Sequence, residues 1–205
     1  MQINFQITGL PELQKKLESL TGPQMKSAMS KAINKTAAKG QAEIKRAITQ
    51  RYDIKANEVA NSMSLRSSKA ATLEAEITIF GSTKKKGRSL NMIHFVEKKV
   101  TLAEGRKRAK KGTQNQLRFR VIKGTGNKTI LGDTTLKNGA FIGNKGRTVF
   151  QRTGNTRLPI KPVQVIGVGQ MFNFKPINAR VKKKIEAEFA TEMTRAVEGK
   201  LKGYL

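Results

Sequence analysis

Apolar residues follow two rhythms along this chain, and each rhythm names an element. Ile3, Phe5 and Ile7 alternate with Asn4 and Gln6, which predicts a short strand. Gly9 ends it, Pro11 suits a first helical turn, and Leu13, Leu17 and Leu20 recur at helical spacing until Thr21, Gly22 and Pro23 interrupt them. From Gln24 to about Arg51 runs the longest helical pattern. Met25, Met29, Ala32, Ile33, Thr36, Gly40, Ile44, Ala47 and Ile48 form one stripe, with Lys26, Lys31, Lys35, Lys39, Lys45 and Arg46 mostly outside it. Such a helix spans roughly 40 Å. Its small residues, Ala28, Ala32, Ala37 and Gly40, admit a second helix at close range. Two readings of the stripe stay open: a core helix of the same subunit, or a helix that packs partly on a neighbouring copy.

Beyond Tyr52 the pattern predicts a short helix at Asn57–Met63 and a strand at Leu73–Phe80, where Leu73, Ala75, Ile77 and Ile79 oppose Glu74, Glu76 and Thr78. Between Asn138 and Phe172, Gly139, Gly143, Gly146, Gly154 and Pro159 cut the chain into short runs of Phe, Ile, Val and Thr. Strands are expected at Ala140–Ile142, Thr148–Arg152 and Pro162–Val168, with Pro159 and Pro162 confined to an edge, a strand start or a crossing. The last element is a helix from Asn178 to about Leu201. Its stripe of Val181, Ile185, Phe189, Met193 and Val197 recurs every fourth residue, drifts round the helix and must meet more than one surface. Lys182, Lys183 and Lys184 precede Glu186, Glu188 and Glu192, against the macrodipole preference, an order that points to a binding surface. The sum is an α+β fold over residues 1–205: one domain in which an antiparallel sheet or sandwich is packed by a long helix in the N-terminal half and by the C-terminal helix.

Charge changes the picture. Lys and Arg total 41 against 14 Asp and Glu, a net +27 in 205 residues, which gathers polyanions round the protein. Residues 84–128 hold 15 of the cations and two acids. Within them GRKRAKKGT, Gly105–Thr113, has nothing to bury. Asn91–Val96 and the alternating Leu117, Phe119 and Val121 flank it, so the expected geometry is two strands with a flexible basic tip, followed by a turn at Gly124–Thr129. Lys84, Lys85, Lys86, Arg88, Arg106, Lys107, Arg108, Lys110 and Lys111 are the residues expected to face DNA or a partner, the alternative being a merely solvated loop. Few aromatics and no recognition helix argue for backbone contact with nucleic acid over base reading. The absence of Cys excludes disulfides and thiolate metal sites. No apolar run is long enough to span a membrane, and MQINFQITGL has neither the basic nor the apolar region of a signal peptide.

Catalytic chemistry is nearly missing. The one histidine, His94, sits in MIHFV, where packing explains it better than proton transfer. Asp53 and Asp133 stand alone, the glutamates form no acid–base pair, and GTGNK at Gly124–Lys128 lacks the spacing of a phosphate loop. The expectation is a protein that is not an enzyme, with no cofactor and no metal.

One set of motifs goes further. GAFI at Gly139, Ala140, Phe141 and Ile142, VFQR with Phe150 and Arg152, RLPI at Arg157, Leu158, Pro159 and Ile160, then Gly167 and QMF ending in Met171 and Phe172, resemble the minor tail protein Z family of tailed bacteriophages. KAINKTA at Lys31–Ala37 and RYDIK at Arg51–Lys55 extend the resemblance, while Gly167, Val168 and Gly169 stand where family members often carry a Gly-Pro-Ser turn. The resemblance implies a structural virion protein, made in the host cytoplasm, that completes the tail at its head-proximal end and joins it to the head as a ring around the DNA channel, commonly a hexamer. Implied partners are further copies, the tail terminator or tail tube, the head–tail connector and genomic DNA without sequence preference. Met25, Met29, Ile33, Ile185, Phe189 and Met193 are the residues expected at a subunit interface. The competing reading is a free-standing basic protein that binds nucleic acid non-specifically.

Overall fold

The computed structural model describes residues 22–80, 89–96, 116–126, 128–131, 140–153, 156 and 158–203. The elements expected at Ile3–Ile7 and Pro11–Leu20, and the basic tip itself, lie outside them. In chain order the elements are α1 (Gly22–Arg51), α2 (Ala56–Asn61), β1 (Met63–Arg66), β2 (Glu76–Ile79), β3 (Ser89–Asn91), a 3-10 turn (Met92–Phe95), β4 (Gln116–Phe119), β5 (Lys128–Leu131), β6 (Ala140–Gly143), β7 (Thr148–Arg152), β8 (Ile160–Pro162), β9 (Gln164–Ile166), α3 (Val168–Phe172) and α4 (Lys175–Leu201). The fold is α+β.

Two long helices organise it. α1 and α4 run antiparallel, as the pairs Glu43–Arg180, Lys39–Glu188 and Gly40–Ile185 require. At Gly40 the approach is tight. A Cβ there would lie 2.9 Å from Ile185 Cδ1 and 3.4 Å from Ile77 Cδ1, so glycine lets α1, α4 and β2 meet at one point. The drifting stripe of α4 is absorbed within the chain. Val181 and Ile185 join the main core with Ile44, Ile48, Met171 and Phe172, while Met193 and Val197 join a second cluster with Ala28 and Ala32. Two replacements test the close approach. Gly40→Ala gains about 1 kcal/mol of helix propensity and asks only the flexible end of Ile185 to move, so its stability is expected to stay within about 1 kcal/mol of the parent. Gly40→Leu overpacks the three-way contact, and urea unfolding is expected to show a loss of about 3 kcal/mol.

Among the described residues every strand pair is antiparallel, as expected, and the pairs make up small separate sheets: β1–β2, β3–β9, β4–β5 and β6–β7–β8. The short helix expected to reach Met63 ends at Asn61, and Met63 opens β1, a strand the sequence pattern did not predict, pairing with Ile79 as Leu65 pairs with Ile77. The strand expected from Leu73 begins only at Glu76, because Leu73 sits at φ 46 and the chain bends there. Pro162–Val168 is likewise divided. β8 ends at Pro162, β9 takes Gln164–Ile166, and Val168 already belongs to α3.

The strands expected to flank the basic tip are corrected in extent and pairing. Asn91 begins a 3-10 turn, in which its Oδ1 accepts from Ile93 N–H at 3.0 Å, so only Ser89–Asn91 is extended and it pairs with β9. β4 pairs instead with β5, around a turn in which Gly124 adopts φ +80. The two flanks still approach each other, through an isolated antiparallel bridge between Val96 and Phe119.

Candidate functional site

The glycine-punctuated stretch folds into the three-stranded sheet β6–β7–β8, and its alternation separates two faces. Ala140, Ile142 and Val149 point inward and form a third core with Met92 and Ile93. On the other face register places Phe141 opposite Phe150, Phe150 opposite Pro162, and Arg152 opposite Ile160. The Phe141 and Phe150 ring centroids lie 5.9 Å apart, and the Arg152 guanidinium sits 4.6 Å over Phe141. Gly143 makes room for this: a Cβ there would lie 3.0 Å from the Phe150 ring. Pro159 and Pro162 flank and end β8, an edge strand, where a missing N–H breaks no ladder.

The lip of this sheet is apolar and open to solvent. Leu158 is 65% exposed and Ile160 37%, and β8 has no buried residue. Leu158, Ile160, Phe141, Phe150 and Pro162, rimmed by Arg152 and Lys161, make an apolar surface of the kind that marks an interaction site. Asn91 fixes the sheet from below. Its Oδ1 accepts from Val149 N–H at 2.8 Å and its Nδ2 donates to Val149 C=O at 3.2 Å, so a side-chain amide continues the pairing where β8 turns away. Sequence reading missed this role, because an Asn at a turn gives no sign of a partner 58 residues away.

The family-motif residues therefore divide. Ala140, Ile142, Gly167, Met171 and Phe172 are buried, Phe141, Phe150 and Arg152 are half-buried on the outer face, and Leu158, Pro159 and Ile160 are exposed. Gly139 and Arg157 lie outside the described residues, as do Lys84, Lys85, Lys86, Arg88, Arg106, Lys107, Arg108, Lys110 and Lys111. Of the residues expected at a subunit interface, Ile185 and Met193 are only 5% and 3% exposed, covered within their own chain, which removes them from any surface. Met25, Met29 and Phe189 pack at the margin of the second cluster and, with Ile33, stay half-exposed.

Electrostatics explains the order of charge along α4. Lys39 of α1 donates to Glu188 Oε2 and Glu192 Oε1, each at 2.6 Å, while Lys184 reaches Glu188 at 2.7 Å and Arg195 reaches Glu192 at 2.9 Å. Glu188 and Glu192 are thus held by Lys39 of the opposing helix as well as by Lys184 and Arg195 of their own, an interhelical lock that accounts for both, while Glu186 lies on the exposed face. Arg180 adds a second clamp, donating to Glu43 and to Gln50, both at 2.6 Å. Elsewhere Asp53 pairs with Arg120 at 2.7 Å and Arg66 with Glu76 at 3.2 Å. With these acids engaged internally, Lys26, Lys31, Lys45, Arg46, Lys182 and Lys183 remain on exposed helix faces.

The lock is pH-dependent. Hydrogen bonds from Lys184 and then Lys39 hold the Glu188 carboxyl down at about 2, and Lys39 also lowers Glu192 against the opposing effect of its burial. A depressed carboxyl stabilises the fold above its ordinary value of 4.5 and loses that contribution as pH falls towards about 2. The melting temperature is therefore expected to drop between pH 5 and pH 3, and Glu188→Gln combined with Glu192→Gln to flatten that slope. Lys39, raised above 10.5, contributes at neutral pH and loses its contribution only as alkalinity passes its folded value.

Among the described residues no group of three or more His, Asp or Glu is placed to hold a metal ion. His94 Nδ1 lies 3.4 Å from Glu58 Oε1 in a half-buried turn, a packing and pairing role. No described helix is long and apolar enough to cross a membrane. Residues 7–205 match the family model for prophage minor tail protein Z (GPZ). No curated protein and no solved structure matches the chain.

Proposed function

The chain belongs to the prophage minor tail protein Z family, which makes it a structural protein of the phage tail, and from that premise we propose that it completes the tail as a closed homo-oligomeric ring. The ring sits at the head-proximal end, between the tail terminator or tube and the head–tail connector, with the genome passing through its lumen. The carrying observation is the family match over nearly the whole chain. Two features support the finer reading. The lip at Leu158 and Ile160 is apolar surface that a lone monomer has no use for, and it suits a heterologous contact that closes by rotation. The net +27, with the described acids largely engaged in internal pairs, would line a lumen with positive charge and hold DNA by its backbone without reading sequence. The fold supplies scaffolding and surface, and no catalytic step is assigned to it.

Sedimentation of the purified protein free of nucleic acid tests the ring. A hexamer-sized species that survives moderate salt is expected. A monomer that associates only when DNA is added would favour the free-standing basic protein instead. Particles made without the gene are expected to show tails that fail to join heads, and complete infectious particles would end the proposal.

A further inference from the structure

A second feature, away from the motif sheet, is a groove of about 390 Å³ at the end of α1, with Ala47, Ile122, Phe174, Pro176 and Ile177 among its walls and Arg51, Lys123 and Arg180 on it. That volume suits one or two side chains. Two of its three cations are already engaged. Lys123 Nζ donates to the Thr49 carbonyl at 2.6 Å, and Arg180 is held by Glu43 and Gln50. Arg51 differs. Its guanidinium lies 3.8 Å over the Phe174 ring and 5.8 Å from that of Tyr52, and its Nε–H is buried with no acceptor among the described residues. Stacking uses the face of a guanidinium and leaves its in-plane donors for a planar acceptor. The aromatic contact also orders the side chain beforehand, which lowers the entropy lost on binding.

We propose that this groove is a docking site for an acidic side chain, Glu or Asp next to an apolar residue, presented by a neighbouring protein of the tail. The carboxylate takes the terminal Nη N–H groups of Arg51 as a bidentate pair, and the apolar neighbour lies against Ile122, Pro176 and Ile177. Charge complementarity selects this occupant. One guanidinium without an acceptor among the described residues, beside the apolar side chains of Ile122, Phe174, Pro176 and Ile177, matches one carboxylate, whereas a DNA duplex brings a charge about every 1.7 Å of axis, far more than so small a groove can meet. The site is separate from the lip at Leu158 and does not depend on ring formation.

Saturation-transfer NMR observes the small ligand, so the protein can be used in whatever assembly it forms. The probes are N-acetyl-Glu-Leu-amide, its Gln counterpart and sodium phosphate, against the parent protein and Arg51→Lys. The Lys variant keeps the charge and the helix but lacks the fork. Saturable transfer to the Glu side chain and Leu methyls is expected, weaker by about fivefold or more for the Gln probe and for Arg51→Lys. Absence of transfer, equal response to the Gln probe, undiminished binding by a folded Arg51→Lys, or displacement of the Glu probe by equimolar phosphate would each overturn the proposal. If Arg51→Lys loses its circular dichroism signal, Arg51→Gln replaces it, with the same weakening expected.

Discussion

Leu158→Asp combined with Ile160→Asp is expected to leave a folded subunit that no longer assembles. Both side chains are exposed in the chain and belong to an edge strand without a buried residue, so their replacement should change stability by no more than about 0.5 kcal/mol. In an assembled tail the same carboxylates would be desolvated without partners, which costs several kcal/mol for the pair. At 1.4 kcal/mol for each tenfold, about a hundredfold or greater fall in infectious titre is expected in a complementation assay. Unfolding measured by circular dichroism should match the parent, and sedimentation should show monomer. A folded double variant that complements normally would show that the lip takes no part in assembly.

Phe172→Ala is expected to be the most damaging single change to stability. Phe172 is 0% exposed and fills the main core together with Val168, Met171, Ile44, Ile48 and Ile177. Truncating a ring there removes its transfer energy and leaves a cavity that the two long helices cannot close, a loss of about 3–5 kcal/mol. Against a typical total of about 5–15 kcal/mol, that puts a sizeable unfolded fraction within reach at physiological temperature. Urea unfolding measures it directly, and Leu201→Ala, at a residue 49% exposed, serves as the near-neutral control.

The comparison of pattern with structure follows the range over which each contact acts. The helices were legible because α1 and α4 keep their stripes for 30 and 27 residues, long enough for periodicity to speak. β6 and β7 were legible because alternation and glycine punctuation are local. Partner choice was not. Nothing near Ser89–Asn91 signals that it pairs with Gln164–Ile166, and the pattern that suggested a strand over Asn91–Val96 gave no sign of the 3-10 turn at Met92–Phe95. The charge order on α4 looked unfavourable because the macrodipole argument considers one helix alone, whereas Lys39 lies 149 residues from Glu188. The motif residues show the same limit. Resemblance picked out Met171 and Leu158 alike, yet one is fully buried and the other is mostly in solvent. The role of Arg51 has no local signal, since its stacking on Phe174 joins the end of one helix to the start of another.

The stretch from Leu158 to Phe172 runs without a break from the solvent-facing lip, along β8 and β9, into α3 at the centre of the main core. A neighbour gripping the lip would therefore pull lengthwise on strands whose hydrogen bonds to β7 and β3 lie across the direction of force. Bonds arranged in that way yield together under shear and not one by one as in a zipper. Mechanical load on the joint would be passed to the helix pair before any strand could peel away.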